Sequence, residues 1–148
     1  MRRLIDESRR MGVTWEFTND LDPRHPGKYA EEVRHIWLLD GMTYTKTLCT
    51  FAHELGHAAL GHCHSMFDHI EARQERAADE WAAHFLIDPD EYRIAEAKFG
   101  TQMDWIGQEL GVLQRIAEAY AASLNRLGDM IYVGSRMGDG QWAARITA

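Results

Sequence analysis

His53, Glu54 and His57 stand in the run Thr50-Phe51-Ala52-His53-Glu54-Leu55-Gly56-His57, an HExxH motif. On an α-helix, residues four apart lie about 40° apart around the axis, so both imidazoles can reach one ion. Glu54 projects about 100° past His53 and about 60° from His57, beside such an ion rather than on it. A general base that takes a proton from metal-held water belongs there. The chemistry expected is metal-assisted hydrolysis, with zinc on His53 and His57 and Glu54 as base.

A catalytic zinc usually has three protein ligands and leaves one position for water. The helix predicted over Ile70 to Ile87 offers the third. Its expected apolar face is Ala78, Trp81, Ala82, Phe85 and Leu86, with Arg73, Arg76 and Glu80 on the far side. Glu75 lies on that apolar face, one turn before Asp79. A carboxylate on a packing face needs a partner, because an unpaired buried charge is costly. Glu75 is therefore the expected third ligand, and Asp79 the group that holds one of the histidines. Glu71 shares the face and is the rival ligand, though it sits near the helix start, where a carboxylate is favourable without a metal.

Other groups nearby fit less well. His62 and His64 follow in Leu60-Gly61-His62-Cys63-His64. A third histidine in an HExxHxxGxxH arrangement would fall at Cys63, so the register misses by one. His62 reads as a helix-end histidine near the negative pole of the helix dipole. His84 reads as a surface residue. No residue type or spacing identifies a group to stabilise an oxyanion; Tyr92, Tyr120 and His62 are the candidates.

These residues need elements to hold them. Arg2 to Met11 is predicted as a short amphipathic helix ended by Gly12. Val13 to Phe17 alternates like a strand, Asn19 to Lys28 reads as a loop, and Tyr29 to Leu39 reads as a second strand before the Asp40-Gly41 turn. Thr43 to Gly61 is the motif helix, with Tyr44, Leu48, Phe51, Leu55 and Ala59 as its apolar stripe. Gly56 and Ala58 keep that helix slim near the site. Pro89 closes the helix after it, and Asp88 or Asp90 caps a short helix over Glu91 to Phe99. Met103 to Leu110 and Leu113 to Leu127 are two more helices. Met130 to Val133 is a late strand, and Gly134 to Ala148 a loose tail. The pattern is α+β: a short mixed or antiparallel sheet packed on the motif helix, with a helical C-terminal part. In domain terms, residues 1–100 form the core and 101–130 a helical hairpin of the same domain.

Composition narrows the classes. The 148 residues carry 16 Lys and Arg against 23 Asp and Glu, a formal net charge of -7. Such a chain has no general pull toward phosphate backbones. Arg2, Arg3, Arg9 and Arg10 cluster, and read as one solvated helix face. The two cysteines, Cys49 and Cys63, are too far apart for a CxxC pair. The start of the chain has no apolar run of the roughly 7–15 residues a signal peptide needs, and no stretch approaches the ~20 of a membrane span. A reduced, soluble, cytoplasmic protein is expected.

His53 to His57, Leu60-Gly61-His62, Glu75, Ala78-Asp79, Trp81-Ala82-Ala83 and Leu86 to Pro89 together resemble the ImmA/IrrE-type metallopeptidases. The resemblance spans Val13 to Leu127 and is most specific over the two central helices. It implies a small gluzincin-like, zincin-like metallopeptidase fold, bound zinc, and intracellular cleavage of a partner protein, often a helix-turn-helix repressor. Many members occur on phages and mobile elements, and some act as regulators with little peptidase activity. Many members also carry a second Glu where this chain has Ala77, which favours Glu75 while leaving room for Glu71. The alternative reading is a non-catalytic, zinc-containing regulator acting by protein or DNA contact. Ile106 to Val112 with Ile116, Ala119, Tyr120 and Leu124 resembles a helix-turn-helix core. Its second helix offers only Arg115 and Arg126 as cations, offset by Glu118, so nucleic acid is not the expected partner.

Overall fold

The computed structural model describes residues 1–63, 68–127, 130–132 and 142–145, those from 125 onward by backbone alone. The chain divides into two compact units, Met1–Leu86 and Ile87–Ala148. The first unit contains every residue of the HExxH motif and of the acidic helix that follows it.

That unit begins with α1 (Arg2–Arg10), whose buried residues are Leu4 and Ser8. Strands β1 (Thr14–Thr18), β2 (Gly27–Ala30) and β3 (His35–Leu39) follow. They form one mixed sheet in the order β1-β3-β2, with β1 parallel and β2 antiparallel to β3. Ile36 and Leu38 on the central strand are fully buried and alternate with half-buried neighbours, as the period of two requires.

The single strand expected over Tyr29 to Leu39 is in fact two strands with a turn between them. Glu31, Glu32 and Arg34 interrupt the apolar pattern, and Val33 is 62% exposed. Arg34 takes a left-handed φ of 48°, and its guanidinium donates to Met11 O at 2.8 Å and to Glu31 at 3.2 Å. These contacts hold a conformation that L-residues rarely adopt. The loop expected through Lys28 ends at Pro26, because Gly27 and Lys28 already pair with Leu38 and Trp37.

Helix α2 (Tyr44–Leu60) starts at Thr43, whose hydroxyl accepts the Lys46 N–H at 3.3 Å. Phe51 and Leu55 of the expected stripe are buried, but Tyr44 is 66% exposed and Ala59 is exposed too. The middle of α2 is buried on every side, from Cys49 through Gly56. Helix α3 (Asp68–Leu86) supplies part of that cover. Ala78 and Ala82 of the expected face are buried, together with Ala83, but Trp81 and Phe85 are half-buried and stack on each other, 5.2 Å apart. Small residues win because the two helices come very close. A Cβ on Gly56 would lie 2.8 Å from the Ala78 carbonyl oxygen and 3.0 Å from its Cα.

In the second unit, Asp88 caps α4 (Pro89–Phe99) by accepting the N–H groups of Asp90 and Glu91. Helices α5 (Met103–Leu110) and α6 (Gln114–Ser123) form a hairpin around Gly111, with Ile106, Val112, Ile116, Ala117 and Tyr120 buried. The helix expected to reach Leu127 ends at Ser123, since Leu124 is extended. An antiparallel sheet follows, made of β4 (Asn125–Leu127), β5 (Met130–Tyr132) and β6 (Trp142–Arg145). Strand β6 falls within the expected tail, whose remaining residues, like Val133 and His64, lie outside those described. The exposed residues of α6 include Gln114, Arg115 and Glu118, a poor surface for phosphate. Among the described residues, no helix is long and apolar enough to cross a membrane.

Candidate metal centre

Helix α2 brings His53 and His57 to one side, one turn apart. Their rings meet edge to face, and the two Nε2 atoms lie 3.1 Å apart. Helix α3 delivers Glu75 to the same point. One carboxylate oxygen is 3.2 Å from His53 Nε2 and the other 3.3 Å from His57 Nε2. Zinc bonds of about 2.0–2.1 Å at tetrahedral angles separate neighbouring ligand atoms by roughly 3.3–3.4 Å. The three donor atoms already sit near that spacing, so this set could hold a metal ion. Among the described residues it is the one such cluster found, and Glu71 is not part of it.

Glu75 reaches this place for a different reason from the one its helix face suggested. Its side chain is 54% exposed, so an unpaired buried charge does not account for it. What counts is its offset from Asp79. Asp79 Oδ1 lies 2.7 Å from His53 Nδ1 and takes that proton. One turn earlier on α3, Glu75 then faces the opposite nitrogen of the same ring. Hydrogen bonds from His53, then His57, hold the Glu75 carboxyl well below the usual carboxylate range. Burial alone would lower the His53 pKa, but its bonds to Asp79 and Glu75 outweigh this and raise it to about 9.

Glu54 is 7% exposed and lies beside this cluster on α2. Burial raises its pKa; the neighbouring His53 and His57 oppose the rise, as does a hydrogen bond from the Tyr29 backbone N–H. The register explains that bond. Leu39 N–H donates to Pro26 O across the β2–β3 ladder. Alternation then turns the backbone groups of residues 27 and 29 to the outer edge of β2, toward α2. Gly27 is just as close. A Cβ there would collide with Glu54 Oε1 and come within 2.6 Å of the Thr50 methyl. Sequence reasoning missed both residues, having read Gly27 as loop punctuation. The available signal was a glycine two residues before the run that opens at Tyr29.

His62 is the other surprise. Its Nδ1 lies 3.1 Å from His57 Nδ1, with the rings 5.1 Å apart at 68°. Cys63 is exposed and belongs to no metal cluster among the described residues; His84 is exposed, as expected. Tyr92 and Tyr120 pack on each other in the second unit, ring centroids 4.7 Å apart.

A solved structure described as a Mycobacterium tuberculosis transcriptional regulator is similar to this chain, with a TM-score of 0.58 at 14% identity. The likeness covers 85% of this chain and 43% of that one, so the present chain spans less than half of that protein's length. At this identity it shows a shared fold. No curated protein matches the chain. The family model described as Peptidase_M78, the IrrE N-terminal-like domain, matches residues 10–129. With most of its length and its whole candidate metal centre inside that match, the chain belongs to the M78 peptidase family.

Proposed function

We propose that this chain is a zinc-dependent endopeptidase that cuts a regulatory partner protein, such as a helix-turn-helix repressor, in the cytoplasm. The observation that carries the proposal is the convergence of His53, His57 and Glu75, whose donor atoms lie within 4.8 Å of one another, next to a buried Glu54. His53, His57 and Glu75 would hold the ion, and the donor set of two imidazoles and one carboxylate suits catalytic zinc. When bound, zinc makes water acidic and polarises a carbonyl. Asp79 keeps the His53 ring in place with Nε2 facing the site. Glu54 takes the proton of the attacking water at its carboxylate and passes it to the departing amine. Burial raises its pKa, which strengthens the carboxylate as a base.

A second reading is a non-catalytic, zinc-containing regulator that acts by protein or DNA contact. The similarity to a transcriptional regulator favours it. Glu54→Gln separates the two. The enzyme reading expects the variant to retain one zinc per chain and to lose cleavage of the candidate repressor. If the variant still supports function in cells, the enzyme reading is wrong.

A further inference from the structure

On an unbroken helix, a residue five positions after His57 would lie about 140° around the axis from it. His62 does not, because Gly61 takes a left-handed conformation with φ 62° and ψ 38°. Its N–H and that of His62 both return to the His57 carbonyl, the latter at 3.0 Å. The chain folds back on its own helix end, in the manner of a glycine C-cap. The His62 ring is thereby brought edge to face with His57, Nδ1 to Nδ1 at 3.1 Å.

Two ring nitrogens at that distance share one proton. His57 Nε2 points at His53 Nε2 and at Glu75, and a nitrogen that binds an ion carries no proton. The proton of neutral His57 then sits on Nδ1, and His62 Nδ1 must accept it. We propose that His62 is a positioning residue of the metal centre: it accepts the His57 Nδ1 proton and so fixes the tautomer and ring angle that leave Nε2 bare. The inference rests on the metal reading above and extends it. It pairs with Asp79, which does the same for His53. The two histidines are thus held by unlike acceptors, one a carboxylate and the other a neutral imidazole. The partial exposure of His62 means that replacing it removes little from the core.

The test is zinc affinity, measured by competition with a chromophoric chelator at neutral pH, with circular dichroism to check folding. His62→Phe keeps a ring and removes the acceptor; it should bind zinc roughly 10- to 100-fold more weakly than the native chain. His62→Asn restores an acceptor oxygen close to the former Nδ1 and should recover most of that loss. Native-like affinity in His62→Phe would overturn the proposal. So would a His62→Asn variant as weak as His62→Phe, since ring packing rather than an accepted proton would then be responsible. A native chain that takes up no zinc would overturn the metal reading itself, a failure visible before any variant is compared.

Discussion

Helices α2 and α3 both supply residues of the candidate metal centre, but they are held by different means. Helix α2 is a core helix: ten of its residues are buried, and Phe51 and Leu55 are fully so. Helix α3 buries only Ala78, Ala82 and Ala83, and carries the candidate ligand Glu75 on a half-exposed flank. The first holds its chemistry by the depth of its packing. The second holds it by closeness, through backbone contact between Gly56 and Ala78. Precise placement of a side chain therefore does not require that the side chain be buried. It requires that its backbone be allowed only one distance from the rest of the site.

The largest effect should come from breaking that closeness. Gly56→Val places a branched side chain where even a Cβ would meet the Ala78 carbonyl at 2.8 Å. Overpacking of this kind costs about 1–3 kcal/mol. Thermal unfolding should fall accordingly, and zinc affinity should fall with it as α3 carries Glu75 away. Unchanged affinity would mean that α3 can shift without moving its donor. A smaller and more selective effect should follow on the α2 side. Gly27→Ala pushes a methyl into Glu54, so zinc uptake should stay native while cleavage of the candidate repressor slows on the order of 10- to 100-fold. Loss of zinc instead would show that Gly27 supports the fold of the site and not the base. The smallest effect belongs to Glu71 and sharpens the account of α3 by contrast with Glu75. Glu71→Gln should leave zinc affinity unchanged, whereas Glu75→Gln should weaken it severely. Equal losses would return Glu71 to the role of donor.

Much of this was legible in the residues themselves. The HExxH spacing, the acidic position at 75 and its partner at 79 depend on helical geometry alone, which one short stretch of sequence encodes. The α+β class was legible for the same reason, since helix and strand periods are local; the sheet was expected as mixed or antiparallel, and its mixed pairing depends on which segments meet. What escaped depends on contacts between distant segments. The Glu31–Arg34 turn divides an apolar run because its charges have partners on Met11 and Glu31 itself, the former far away in sequence. The burial of α3 through alanines, rather than through Trp81 and Phe85, reflects a helix spacing that no single helix specifies. Gly27 became meaningful only when β2 was laid beside Glu54. His62 was explained by the helix dipole alone, because its approach to His57 requires a reversal at Gly61 that periodicity does not describe.

The contact between Gly56 and Ala78 also says where this chain is free to drift. The obstacle facing a side chain at position 56 is the peptide backbone of α3, so no change of residue at 78 can make room for it. The constraint is on a distance rather than on a pair of amino acids, and a compensating substitution is not available. Outside the alanine contacts, the flank of α3 that bears Arg73 and Arg76 is exposed and carries no such restriction. A lineage can rewrite that flank to suit new surroundings while Glu75 stays in register, a division between a fixed inner spacing and an editable outer face within a single helix.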